Sequence, residues 1–286
     1  MKSSIIKLNN YYFGTDLPKK HAKKTETMPY NSISFSGGGY NCIYHIGVVK
    51  YIFENHNLFR KMKYLGASGG AGISGIILCY ENNNNKIKIL NNIICEIIEM
   101  VSLNLPSYKQ VEYYCTIMIK YITEELFNKY IKDTDRCQIS VTDITYIIPH
   151  NVIKTNFKTY AQYKKFLRAS ASIPIILDNK IPKIGNRYFM DGGLTNNIPI
   201  LDERTLKIAC INYPIMNADI YPKYICKLIY TIIPPPKKYI LDMFDLGYSD
   251  IEKYLSKYKH VANIITEENR LNNIISDIIN VNDFTN

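Results

Sequence analysis

Apolar and polar positions along the chain follow two periods, one of about two residues and one of about 3.6, with glycines and prolines at the changeovers. Tyr30 to Phe35 (YNSISF) alternates as a strand does, and a glycine loop follows over Ser36 to Asn41. Cys42 to Asn57 has helical spacing, with Ile43, Ile46, Val48, Val49 and Phe53 supplying its apolar face. Lys63 to Ala67 predicts a short second strand. Gly69 to Tyr80 predicts a buried helix rich in small residues, stopped by Asn82-Asn83-Asn84-Asn85. Lys86 to Leu103 and Val111 to Lys132 have helical periodicity, separated by Pro106 as a breaker. Gln138 to Ile148 and Val152 to Thr159 read as strands joined by the turn Pro149-His150-Asn151. Ala161 to Ala171 predicts a helix ending before Pro174, and Arg187 to Met190 a strand running into Asp191-Gly192-Gly193. Leu206 to Tyr213 and Ile225 to Ile233 predict the last strands. Two amphipathic helices are expected after Pro234-Pro235-Pro236. Strands alternating with helices indicate an α/β fold with a mainly parallel sheet, and no internal repeat interrupts it.

Composition narrows the class without naming a function. A chain of 286 residues can bury a substantial core as one domain. The polar leader of residues 1–29 carries the basic cluster Lys19, Lys20, Lys23 and Lys24, and is too polar to hold a secretory signal. The longest weakly polar run, Gly69 to Tyr80, is far short of a membrane span, so any membrane contact is expected to be peripheral. Seven cysteines without a C-x-x-C pair fit reduced thiols in the cytoplasm better than a metal site. The net charge of +10 suits anionic partners, either lipid headgroups or nucleic acid. Aromatic-plus-basic pairs are scattered and no nucleic-acid-binding signature accompanies them, so no specific nucleic-acid partner is expected. A generally solvated basic surface explains the charge equally well.

Chemistry concentrates in three glycine-centred segments. Gly66-Ala67-Ser68-Gly69-Gly70 fits G-x-S-x-G, the turn that lifts a serine hydroxyl above the end of a strand. A small-residue turn is the bland alternative, but a strand before it and a helix after it are the context the motif requires. Ser36-Gly37-Gly38-Gly39-Tyr40 joins a strand to a helix, and its successive N–H groups suit an oxyanion. A dinucleotide fingerprint would need glycine where Cys42 stands, and a phosphate loop would need G-K-[ST]. Histidines occur only at 21, 45, 56, 150 and 260. His45 falls inside a helix, where a packing role is expected, and the order Ser, Asp, His of α/β-hydrolases leaves only Asp143 with His150 or Asp191 with His260. Asp191 is the preferred base. Asp-Gly-Gly is also an ordinary turn, and the carboxylate needs a desolvated pocket to act near neutral pH. The apolar approach Tyr188-Phe189-Met190 and the glycines Gly192 and Gly193 could supply one.

These segments resemble the patatin-like phospholipase family, in particular its animal neutral-lipid lipase and adiponutrin branch. The resemblance begins at Phe35-Ser36-Gly37-Gly38-Gly39-Tyr40-Asn41-Cys42-Ile43-Tyr44-His45 and continues through Tyr64-Leu65-Gly66-Ala67-Ser68-Gly69-Gly70-Ala71. Leu167-Arg168-Ala169-Ser170-Ala171-Ser172-Ile173-Pro174 leads on to Met190-Asp191-Gly192-Gly193-Leu194-Thr195-Asn196-Asn197-Ile198-Pro199. It implies a three-layer α/β/α fold with its catalytic domain at residues 30–215, and residues 216–286 packed on that domain. It implies Ser68 as nucleophile, Asp191 as the dyad base, Gly37, Gly38 and Gly39 as the oxyanion hole, and no metal or cofactor. The expected activity is hydrolysis of phospholipid or acylglycerol esters, by a cytoplasmic protein peripherally associated with a membrane or lipid droplet. Two departures stand out: Cys42 replaces the last glycine of the family's glycine box, and Asn41 replaces the basic residue of plant and bacterial members. A catalytically weak lipid-binding protein on the same scaffold is the second reading.

Overall fold

The computed structural model describes residues 28–103, 105–212, 216–223 and 226–256. Close packing divides the chain into a unit Tyr30–Tyr254 and another made of Met1–Pro29 with Leu255–Asn286. The described residues fall almost wholly in the first. The basic leader, its His21, and His260 with the second expected C-terminal helix lie outside them.

The unit Tyr30–Tyr254 is built on a mixed seven-stranded sheet. Its strands are β1 (Ser32–Phe35), β2 (Lys63–Ala67), β3 (Cys137–Asp143), β4 (His150–Lys154), β5 (Lys183–Ile184), β6 (Arg187–Asp191) and β7 (Thr205–Ile208). The spatial order is β5-β6-β3-β2-β1-β7, with β4 also paired to β3. β7, β1, β2 and β3 run parallel, while β4 and β6 run against β3. Every residue of β1 and of β3 is buried. Strands without an exposed face are covered on both sides, as expected for a parallel sheet flanked by helices.

Among the described residues seven helices flank it: α1 (Ile43–Glu54), α2 (Gly69–Tyr80), α3 (Lys86–Ser102), α4 (Gln110–Tyr121), α5 (Glu124–Tyr130), α6 (Tyr160–Ala171) and α7 (237–256). α2 is the central one. All of its residues after Gly69 are buried, consistent with a helix that is apolar all round. It approaches the sheet so closely that a Cβ on Gly70 would lie 2.4 Å from the carbonyl oxygen of Phe35.

Several element boundaries differ from the sequence pattern. The helix expected over Val111–Lys132 is two helices, because Thr123 takes an extended backbone and its hydroxyl caps α5 by accepting from the N–H of Leu126 at 3.3 Å. The strand expected to reach Ile148 ends at Asp143, whose Oδ1 accepts from the N–H of Thr145 at 2.8 Å and turns the chain. His150 opens β4 rather than lying in the turn. Over its described residues, 226–233, the strand expected at Ile225–Ile233 does not form: Leu228–Thr231 is a 3-10 turn whose Thr231 carbonyl lies against Gly39, so packing overrides β propensity.

Candidate active site

Strand register explains how Ser68 and Asp191 meet. Along β3, Ile139 and Ser140 pair with β2 on one edge and with β4 on the other. β2 ends with Ala67 opposite Ser140, and the next residue of β3, Val141, is opposite Asp191. Since β4 occupies the other edge throughout Val141–Asp143, β6 arrives on the edge that β2 has just vacated. The last residue of β6 therefore abuts the residue that follows β2. A parallel strand and an antiparallel one end head to head, one delivering the serine and the other the aspartate.

Ser68 has φ 53° and ψ −127°, a conformation that costs a non-glycine residue free energy and holds its side chain off the end of the strand. The surroundings hold this elbow in place. The Ser68 N–H donates to Ser170 Oγ at 2.9 Å, and Ser170 Oγ donates on to the Ser140 carbonyl at 2.7 Å, so α6 ties the elbow to β3. Tyr114 Oη donates to the Gly69 carbonyl and accepts from the Gly72 N–H, each at 3.1 Å, and so clamps the first turn of α2 from α4. The positive end of that helix lies beside the serine oxygen.

The Ser68 hydroxyl donates to the Asp191 carboxylate. Asp191 is buried, and Gly193 N–H donates to its Oδ1 at 2.7 Å. Burial pushes its pKa up from 3.8 to about 6, while the Ser68 and Gly193 hydrogen bonds hold it down. A carboxylate titrating there is ionised at neutral pH and far more basic than a solvated one. Its backbone is fixed as well: its N–H donates to the Ser172 carbonyl at 2.8 Å and its carbonyl accepts from Thr142 Oγ1 at 2.7 Å.

The triglycine loop presses on Ser68, since a Cβ on Gly37 would lie 2.6 Å from Ser68 Cβ. Its three amides are not equivalent. Gly37 N–H donates to Asn197 Oδ1 at 2.8 Å, and Gly38 N–H approaches Cys42 Sγ. Gly39, at φ 58°, lines a cavity beside Ser68. That cavity, open at one side, runs from Ser68 and Gly39 past an apolar lining that includes Ile73, Ile97, Met100, Ile117, Met118 and Leu177. Gly66 and Gly192 are packing glycines: Cβ atoms there would lie 2.2 Å from the Gly70 carbonyl oxygen and 2.1 Å from that of Ser140.

Asn197, Ser170 and Tyr114 had no assigned role in the sequence, although the first two stand in the resemblance segments. Their side chains hold main-chain groups, a use that carries no spacing signature. The thiols Cys42 and Cys210 meet behind the glycine loop with Sγ atoms 3.7 Å apart, and His45 contributes a third donor atom, all within 4.8 Å. Such a set could hold a thiophilic cation, and its members are 168 residues apart in the chain, which sequence spacing could not foresee. Here His45 Nε2 bonds the Ser36 carbonyl at 2.9 Å, Cys42 Sγ donates to the same carbonyl at 3.8 Å and Cys210 Sγ donates to that of Gly37 at 3.5 Å. The cluster thereby braces the loop. His150 is exposed and lies 3.4 Å from Arg187, which ion-pairs Asp143. The pair Asp143 and His150 is thus engaged by Arg187, at the opposite end of β6 from Asp191.

Comparison with known proteins identifies the family. The patatin-like phospholipase family model matches residues 33–203, and the chain belongs to that family. Patatin-like phospholipase domain-containing protein 5 of Mus musculus is 23% identical over 79% of this chain and 56% of its own length. The omega-hydroxyceramide transacylase of Mus musculus is 22% identical over 79% of this chain and 41% of its own. Patatin-like phospholipase domain-containing protein 4 of Homo sapiens is 22% identical over 80% of this chain and 98% of its own. The chain thus spans about half the length of the first two relatives. A crystal structure of VipD from Legionella pneumophila aligns with a TM-score of 0.43 and 12% identity over 80% of this chain and 67% of that one. Membership in the family supports lipid hydrolase activity in general. No described helix is long and apolar enough to cross a membrane.

Proposed function

We propose that the chain hydrolyses carboxylic esters of phospholipids or acylglycerols through Ser68 and Asp191. The observation that carries the reading is the strained Ser68 elbow hydrogen-bonded to a buried carboxylate of raised pKa. Asp191 accepts the Ser68 proton as the serine oxygen attacks the ester carbonyl. The carbonyl oxygen takes the developing negative charge towards the glycine loop, where one well-placed amide is worth about 3 kcal/mol of transition-state stabilisation. Gly39 is the loop residue that faces the cavity, whereas Gly37 is held by Asn197. Collapse of the adduct returns the proton to the leaving alcohol and leaves an acyl-enzyme. Water, activated by the same carboxylate, then releases the fatty acid. The cavity behind Ser68 has the apolar lining an acyl chain requires.

A second outcome has one supporting observation, the relative whose name is omega-hydroxyceramide transacylase. An acyl-enzyme that meets an alcohol instead of water transfers the chain. The test covers both readings. The protein is labelled with a fluorophosphonate and incubated with phospholipids and acylglycerols, with and without an acceptor alcohol, and the lipids are identified. Label at Ser68 with released fatty acid supports hydrolysis, and a new ester supports transfer. No adduct at Ser68, under conditions that label a control serine hydrolase, overturns both.

A further inference from the structure

From the edges of the cavity we infer that two apolar loops at its mouth form a docking face for an anionic phospholipid surface. Each loop turns one residue into the cavity and its neighbours to solvent. In the first, Leu177 lines the cavity while Ile175 and Ile176 point out, Ile175 being 93% exposed. In the second, Thr231 lines the cavity while Leu228, Ile229, Ile232 and Ile233 are exposed. Consecutive exposed large aliphatic residues are uncommon on a soluble surface without a partner.

The first loop is held in that posture. Asp178, 1% exposed, accepts from Arg168 at 2.7 Å, from Ser172 Oγ at 3.1 Å and from the Lys180 N–H at 3.2 Å. Its carbonyl accepts from the Ile175 N–H at 2.8 Å, which closes a turn with Ile175 at φ 73°. A β-branched residue in the left-handed region is a genuine outlier, and here it is fixed by the buried Asp178 and its ion pair with Arg168 so that its side chain faces water. The second loop is anchored by Gln110 Nε2 donating to the Ile232 carbonyl at 2.8 Å.

Charge selects the partner. Lys180 follows the first loop, Lys227 and Lys237 flank the second, and Lys109 precedes its anchor Gln110; all four are exposed, while the neighbouring Lys238 is paired with Asp242 at 3.0 Å. Aliphatic side chains that insert, ringed by lysines that stay at the headgroups, match an anionic lipid interface. Docked there, the mouth would receive an acyl chain from the lipid layer without passing it through water. This inference rests on the lipid-ester reading only for its purpose, since binding is measured without turnover.

The test compares wild type with Ile175→Ser/Ile176→Ser and Leu228→Ser/Ile229→Ser in co-sedimentation with vesicles of phosphatidylcholine, with and without phosphatidylserine. Each double variant is expected to lose about tenfold or more in vesicle affinity, to keep its thermal midpoint, and to label with fluorophosphonate at the wild-type rate. Wild type should bind the phosphatidylserine vesicles more tightly, with an advantage that added salt removes. Wild-type vesicle binding in both folded variants would overturn the docking face and leave the lipid-ester reading standing. So would variants that bind vesicles normally but convert a self-associated protein to monomer. Loss of vesicle binding in the variants of a protein that never labels at Ser68 would retain the face and remove the enzyme.

Discussion

At the scale of the residue, activity should follow the ionisation of one carboxylate. Asp191 must be charged to accept the Ser68 proton, and it titrates near pH 6 because it is buried. The acid limb of kcat/KM on a soluble short-chain ester should therefore have its midpoint near pH 6, well above an ordinary aspartate. A limb centred near pH 4 would mean that Asp191 is not the base. Ser68→Ala and Asp191→Asn should each lower kcat by roughly three orders of magnitude or more, as loss of a nucleophile or its base does. His150→Ala should retain activity, since His150 lies by Arg187, at the opposite end of β6 from Asp191. Loss of turnover in folded His150→Ala would move the base to the histidine. Both residues of the proposed dyad could be singled out because the backbone constraints around them, G-x-S-x-G and Asp-Gly-Gly, are local. The distribution of the loop amides was not: the Gly37 amide is taken by Asn197, 160 positions away.

At the scale of the element, the site depends on where strands end. β2 stops at Ala67 and β6 takes its place beside β3, and this handover alone brings two distant turns together. Ser170 is its fastener, with one hydroxyl serving α6, the elbow and β3. Ser170→Ala leaves the Ser68 N–H and the Ser140 carbonyl without that partner, which should cost about 1–3 kcal/mol of stability. Because it is the nucleophile's own amide that is released, kcat should fall by tenfold or more while KM changes little. Ser170→Thr should recover part of both. A thermal melt and steady-state kinetics on the two variants check this, and a stability loss without a kcat effect would reduce Ser170 to a packing residue. Most strands and helices were readable from periodicity, and two of the errors share one physical origin. Thr123 and Asp143 each spend a side chain on the backbone within three positions, ending an apolar run that the period alone would continue. Leu228–Thr231 has strand composition but folds against Gly39, a tertiary contact no window of sequence contains.

At the scale of the whole molecule, the same buried carboxylate should appear as a pH-dependent liability in folding. The folded pKa of Asp191, about 6, exceeds the unfolded value of 3.8, so the native state holds a proton that the unfolded chain has released. Its contribution to stability is then full below about pH 3.8 and is lost as pH rises through about 6. Above that, the native state carries a buried charge whose cost is on the order of 3 kcal/mol, the equivalent of the shift. Asp191→Asn removes the charge at every pH while keeping the shape. The stability of Asp191→Asn relative to wild type should therefore rise between pH 4 and pH 7.5, by an amount of that order, in denaturant titrations at matched ionic strength. Other groups titrate over the same range, but they are common to both proteins and cancel in the difference. A difference that stays flat with pH would place the Asp191 pKa near its solvated value and remove the basicity on which the proton transfer from Ser68 depends. The expected slope is the thermodynamic counterpart of the acid limb in activity, and a shared midpoint would tie the fold's strain to its chemistry.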